Sequence, residues 1–297
     1  MPTDADPTAH RRLDKSAAVR NTLLVILVLN LVVVAIKVFV GIRTGSLSVL
    51  GASLESALDA LNNLVGMAVV SVAARAPDDD HPYGHDKFET LGALAIVGFL
   101  SISCFELLRE GVMQMLHRHV PESPTTFEIA LLATTALVNV LVVWYERKRG
   151  RELASAFLLA DAAHTSSDLY VTLLALTSLG LARAGFGGFD PLLAVIVALL
   201  IAWNGYAILR ENVPILVDRR AVDATEIRRL IAEIPEIHDV RDVRSRATPS
   251  GVLFAEVTIG VAADISVADA HALADQVEAR IGERLGTSQV TVHVEPA

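Results

Sequence analysis

Six apolar segments, at about 21–42, 46–74, 90–116, 126–145, 153–183 and 190–209, occupy most of the chain up to residue 209. Each is long enough to cross a hydrocarbon core, which takes about 20 helical residues. Composition agrees: 53% of the 297 residues are hydrophobic and only 20% are charged, too apolar for an ordinary soluble protein. The first segment is not a cleaved signal, because it is too long, carries Lys37 and is followed at once by a second span. An even number of crossings puts both termini on one side of the membrane. Arg11, Arg12, Lys15 and Arg20 precede the first span, Arg75 and Lys87 lie in the second loop, and Arg147, Lys148, Arg149 and Arg151 lie in the fourth. The odd-numbered loops offer only Arg43, Arg118 and Arg183, so the excess of positive charge places both termini in the cytoplasm. The expected organisation is a cytoplasmic tail over 1–20, loose over its first 15 residues, a six-helix transmembrane domain over 21–212 and a cytoplasmic domain over 213–297.

The character changes after about residue 215. Asp223-Ala224-Thr225-Glu226 reads as a helix start leading into Ile227, Leu230, Ile231 and Ile234 at helical spacing. Alternation around Val240–Arg246 and Val252–Gly260 predicts two strands joined by Pro249-Ser250-Gly251. Ser266-Val267-Ala268-Asp269 opens a second helix, and Gln289–Glu295 forms a last strand. The fold class is therefore a membrane α-helical domain of six transmembrane helices plus a C-terminal cytoplasmic α+β domain, ferredoxin-like, in the order α-β-β-α-β. A domain of this size is near the lower limit for independent stability, which makes dimerisation a natural support. Net charge is −9 and no basic nucleic-acid-binding motif is present, so no nucleic-acid partner is expected. The single cysteine, Cys104, rules out an intrachain disulfide framework.

Two apolar segments contain paired ionisable residues: Glu55 with Asp59, and His164 with Asp168. Residues four apart share a helical face, so each pair aims its donor atoms in one direction. A carboxylate at bilayer depth costs roughly 2.5–3.5 kcal/mol on insertion scales, which makes it a functional-site hypothesis by default. Two facing pairs would supply three carboxylates and one imidazole, enough to hold a divalent transition metal. The plainer reading is that each residue only hydrogen-bonds a neighbouring helix. Asp161, three residues before His164, is a candidate supporting partner rather than a ligand. The chain has no His-Glu-x-x-His run and no Gly-x-Ser-x-Gly elbow, which argues against a membrane-embedded hydrolase and for a protein that is not an enzyme.

The loop after the second span reads Asp78-Asp79-Asp80-His81-Pro82-Tyr83-Gly84-His85-Asp86-Lys87-Phe88-Glu89. With the paired intramembrane ligands, the six spans and the small carboxy-terminal domain, this motif resembles the cation diffusion facilitator family over nearly the whole chain. The resemblance implies a divalent-metal efflux transporter of the cell membrane that works as a metal/proton antiporter and as a homodimer. It places the transport site on Glu55, Asp59, His164 and Asp168, with Glu55 standing where the zinc members have aspartate or histidine. Zn2+ is the first expected substrate and Fe2+ the next, with Co2+ or Cd2+ also compatible with one imidazole among carboxylates. It places a second metal site on Asp78, His81 and His85, for which a solvated loop is the plain alternative. Lys87 and Asp218 match a charged pair that interlocks protomers, although snorkelling at a helix end would also explain them. In the cytoplasmic domain His271, His293 and Glu295 fall at metal-ligand positions, while Arg241 and Thr258 stand where zinc members have two histidines, so at most one weak site is expected there. The competing reading is a non-transporting scaffold or metal sensor that retains the fold.

Overall fold

The computed structural model describes residues 7–44, 47–117, 126–183, 190–286 and 288–297. Six long helices come first: α1 (Pro7–Thr44), α2 (Leu47–Ala73), α3 (Lys87–His117), α4 (Thr126–Glu152), α5 (Ala156–Arg183) and α6 (Asp190–Leu216). After them come α7 (Ala224–Ile231), β1 (Asp239–Ala247), β2 (Leu253–Val261), α8 (Val267–Leu285) and β3 (Ser288–Pro296). His10–Asn212 forms one compact unit, and Val213–Ala297 is the body of another.

Among the described residues, five helices are long and apolar enough to cross a membrane, namely α1 to α4 and α6. The remaining helix, α5, is 28 residues long but is interrupted by Asp161, His164 and Asp168, with Thr165, Ser166 and Ser167 between them. Its polar stripe is what separates it from its neighbours. Leu24, Phe39, Leu58, Phe105, Trp144, Leu199 and Trp203 are exposed on the unit's surface, as lipid contact requires, while Leu23, Ile96, Leu100, Phe157, Leu158 and Ile201 fill its centre. Hydroxyls within the helices turn back on their own backbone: Thr22, Ser71, Ser101, Ser166, Ser167 and Thr172 each donate to the carbonyl four residues earlier. Such self-satisfaction lets a polar side chain sit in an apolar medium without an unmet donor.

The amino terminus departs from expectation, because helix α1 begins at Pro7 and runs through residues expected to be loose tail. Proline is suited to a first helical position, where its missing N–H costs nothing. Further along, Lys15 Nζ donates to the Ala154 carbonyl at 3.0 Å and lies 3.6 Å from Glu89, which anchors this end of α1.

Helix α5 is held close to its neighbours by one ring. The connection Leu153–Ser155 between α4 and α5 is so short that the two helices form an antiparallel hairpin. One turn in, Phe157 is 1% exposed and lies against both Gly66 of α2 and Gly92 of α3. A Cβ at Gly66 would fall inside the Phe157 ring atoms, and one at Gly92 would come within 3.1 Å of the same ring. Small residues at such crossings are what allow membrane helices to approach closely, since packing rather than water exclusion drives their association. Gly66 is seven residues after Asp59 and Phe157 seven residues before His164, so the contact lies about two turns from both.

In the second unit, β1 pairs antiparallel with β2, and β2 pairs parallel with β3. Helix α8 is the crossover between the parallel strands. Asp223 caps α7 by accepting the Thr225 N–H at 2.8 Å, and Ser266 caps α8 by accepting the Asp269 N–H at 3.1 Å. Ile227, Ile231, Val257, Ile259, Val277 and Ile281 form the core between helices and sheet. The expected α-β-β-α-β order is the observed one.

The Gly66 contact leads to a specific expectation. Gly66→Val should lower the melting temperature of the solubilised protein and weaken its metal binding, because overpacking costs about 1–3 kcal/mol and the displaced helix carries Asp59. Gly98→Ala, whose Cβ meets nothing within 4 Å, is the control and should leave both unchanged.

Candidate metal centre

Asp59 of α2 and His164 and Asp168 of α5 bring one donor atom each to within 4.8 Å of one another. His164 Nε2 is 3.7 Å from Asp59 Oδ1 and 3.8 Å from Asp168 Oδ2. Both separations exceed a hydrogen bond. Donors around a tetrahedral zinc with bonds near 2.0 Å are about 3.3 Å apart, so a small contraction would complete such a set. Glu55 lies on α2 one turn before Asp59, but its side chain is outside the described part of the structure. The structure therefore brings together three of the four expected donors.

Around this cluster is a polar cavity that the sequence reading largely missed. It is lined by Asn30 of α1, Asp59, Asn62 and Asn63 of α2, Asn139 of α4, and Asp161, His164 and Thr165 of α5. Asn62 Nδ2 donates to Asp161 Oδ1 at 2.7 Å, and Asn63 Nδ2 donates to the Asp59 carbonyl at 3.0 Å. Asp161 is thus bonded to α2, not to His164, whose Nδ1 is buried and has no hydrogen-bond partner among the described residues. The signal for the asparagines was present: Asn62 and Asn63 follow Asp59 by three and four residues, on the same helical face.

The loop between α2 and α3 folds around Asp78. Its Oδ1 accepts the His81 backbone N–H at 2.7 Å and lies 3.2 Å from His81 Nδ1, while its Oδ2 is 3.4 Å from His85 Nε2. Gly84 adopts φ +88° and donates its N–H to the His81 carbonyl, closing the turn that brings the two rings to 4.3 Å between centroids. Phe88 stacks on His85 from α3. The backbone hydrogen bond from His81, aided by its side chain and by the charge of both imidazoles, holds the Asp78 carboxyl below the ordinary aspartate range. These three residues form the second group whose donor atoms lie within 4.8 Å of one another.

The carboxy-terminal ligands fare differently. His293 Nε2 is 3.4 Å from Glu295 Oε1 on β3, but exposed His271 faces Asp275 on α8 and does not join them in a three-donor group. Glu295 is instead engaged by Arg241, which also bonds Asp239 Oδ2 at 3.0 Å and the Pro296 carbonyl at 2.9 Å. Hydrogen bonds to Asp239 and then to Glu295 raise the pKa of the Arg241 guanidinium further. Arg241 reaches from β1 across β2 to β3, and Gly260, in register with both Asp239 and Glu295, supplies the gap. A Cβ there would overlap the Asp239 carboxylate. The structure thus places His293 beside Glu295 and leaves His271 apart from both, with Arg241 on the other Glu295 oxygen. Lys87 opens α3, and Asp218, with φ 51°, lies 3.6 Å from Arg246 in the second unit.

Residues 23–217 match the cation efflux transmembrane domain, and residues 220–297 match the cytoplasmic domain of cation efflux proteins. The chain belongs to the cation efflux family. Similar proteins include the cation-efflux pump FieF of Citrobacter koseri, 29% identical over 287 residues that cover 96% of this chain and 93% of that one. FieF of Salmonella typhimurium is 29% identical over 263 residues, 88% of this chain and 87% of its own length. This cation efflux protein is accordingly a multi-pass membrane protein, as the resemblance of its loop and ligand motifs implied.

The Asp78 geometry makes one expectation specific. A carboxyl with a lowered folded-state pKa contributes above its ordinary range, and loses that contribution as pH falls through the folded value. The His81 amide should therefore stay protected from hydrogen exchange as pH falls to the ordinary aspartate value of 3.8, and Asp78→Ala should abolish the protection at every pH.

Proposed function

We propose that this protein exports a divalent transition-metal cation from the cytoplasm in exchange for protons, through Glu55, Asp59, His164 and Asp168. The observation that carries the reading is the gathering of Asp59, His164 and Asp168 from two helices, at separations too long for hydrogen bonds to each other and suited to an ion between them. One imidazole among carboxylates favours Zn2+ first and Fe2+ next, ahead of ions that prefer an all-oxygen shell. Metal and protons compete for the same lone pairs, which is a direct basis for exchange. Metal loads from the cytoplasm, protons load from outside, and the helices expose the site alternately. The relatives named as cation-efflux pumps support the direction of transport.

The protein sits in the cell membrane with both termini cytoplasmic, a reading supported by the clustered Arg147, Lys148, Arg149 and Arg151 at the end of α4. Lys148 lies over the exposed Trp144 ring at 5.3 Å, an arrangement suited to the membrane interface. It works as a homodimer, with Lys87 and Asp218 in the protomer interlock, and Asp78, His81 and His85 bind a metal ion that tunes transport without crossing the membrane.

Transport in proteoliposomes tests the reading. Asp59→Ala and Asp168→Ala should each reduce zinc flux and the accompanying proton flux to background while the protein remains inserted. Normal flux from both would refute the site assignment, and absence of metal-dependent flux from the unaltered protein would mark it as a scaffold or sensor. Glu55→Asp should change the preference between zinc and ferrous iron more than it changes folding. The double variant His81→Ala, His85→Ala should keep measurable flux with an altered dependence on cytoplasmic metal, and complete loss of flux from an intact dimer would refute the tuning role.

A further inference from the structure

Beside the metal cluster lie two buried carboxylates that it does not use. Glu146 of α4 is 0% exposed, and neither of its carboxylate oxygens has a hydrogen-bond partner among the described residues. Asp161 of α5 is 1% exposed; its Oδ1 takes the Asn62 N–H, and its Oδ2 has no partner. Asp161 lines the cavity that also contains Asp59 and His164. Glu146 is two turns along α4 from Asn139, which lines the same cavity, and the α4–α5 hairpin packs its helix against the one that carries Asp161.

Among the described residues, no fixed cation is seen to pair with either carboxylate. Arg147 gives its guanidinium to Ser166 at 2.9 Å, and Arg149 gives its own to Thr22 and Glu152. Lys15 faces Glu89, whose other oxygen accepts the Ser155 hydroxyl. The hydroxyl of Thr165, beside Glu146, donates to the Asp161 carbonyl. Among the described residues, the other charged groups whose fields reach the two carboxyls are Asp59, His164 and Asp168, the metal cluster itself. With the metal cluster empty, two bare carboxylates in so dry a place would be prohibitively costly, so the pair needs a positive charge, either a proton of its own or that of a metal ion beside it. The space between them is not furnished with a third donor of the kind metals take, since neither belongs to a three-donor group among the described residues. A proton is the cation that needs only one oxygen to hold it and a second to share it.

We propose that Asp161 and Glu146 form an inner proton store, holding one proton between them while the metal cluster is empty. This rests on the metal-for-proton reading above. When a divalent cation arrives among Asp59, His164 and Asp168, its field favours the ionised pair. The carboxylic O–H bond breaks, the electron pair stays on oxygen, and the proton leaves to water on the cytoplasmic side, from which α4 ends and α5 begins. The pair thus adds a proton to the exchange without ligating the metal.

Calorimetric titration of the full-length protein with zinc chloride, in two buffers of different ionisation enthalpy, counts the protons released per zinc. The background is His81→Ala, His85→Ala, to silence the loop. Glu146→Gln, an isostere of the protonated acid, should release about one proton fewer per zinc than the background protein, with zinc affinity at neutral pH within about threefold. Asp161→Asn, which preserves an acceptor for Asn62, should show the same deficit and provides a second test if Glu146→Gln does not fold. Unchanged proton release in both variants would overturn the store. Loss of a bound zinc from either variant would also overturn it, by making the pair a metal site. Asp59→Ala is the separate arm: retention of full zinc binding there would sink the cluster reading, whatever the proton count in the other two.

Discussion

An ionisable side chain taken out of water must find a counter-charge or hydrogen-bond partners, and the helical unit is organised by how this demand is met at each position. Lys37, at mid-span on α1 and 5% exposed, donates to Ser56 at 2.8 Å. Glu89 accepts from Ser155 and faces Lys15, tying α1, α3 and the α4–α5 turn together. Arg147 finds Ser166. Where these local solutions stop, between α2 and α5, Asp59, His164 and Asp168 stand 3.7 and 3.8 Å apart. Their spacing is too wide for hydrogen bonds to each other and close to what donors around a shared ion would have.

That spacing depends on packing two turns away. Phe157 stands on two glycines, and the same helix carries His164 one heptad further along while α2 carries Asp59 one heptad earlier. Any side chain at Gly66 acts on the cluster through the distance between helices, without touching a ligand. The α4–α5 hairpin adds a second constraint, since its three-residue connection allows little sliding of α5 against α4. Metal affinity in such an arrangement is a property of helix spacing as much as of donor identity.

The sequence disclosed what repeats or alternates, and hid what depends on one side chain meeting another. Apolar length located all six long helices, and the spacing of His164 to Asp168 placed two donors on one face. Caps at Asp223 and Ser266 marked the starts of α7 and α8 for the same reason: the signal is local. Glu146 carries no such signal, because it closes an apolar run just before four basic residues, where a glutamate reads as a solvated end; only tertiary packing buries it. The helical start at Pro7 escaped notice because the residues beyond it are polar, with no apolar periodicity to reveal them. His271 was grouped with His293 and Glu295 through resemblance alone, and nothing in the spacing of a helix and a strand could report that the two groups stay apart.

Arg241 shows how one guanidinium ties strand ends together. A metal ion linking β1 to β3 would be removable and would demand donors from both strands; the guanidinium performs the linking with its own five N–H groups and a permanent charge. It can do so only because Gly260 leaves β2 bare at the point of crossing, and because Asp239 and Glu295 are in register with that glycine. The cation and the gap are therefore a matched pair. Once they are in place, His293 retains a carboxylate neighbour whose second oxygen is already committed, and the strand end is held together whether or not metal is present. The cytoplasmic unit's ionic link is built into the chain, whereas Asp59, His164 and Asp168 of the membrane unit stand apart with no such guanidinium joining them among the described residues.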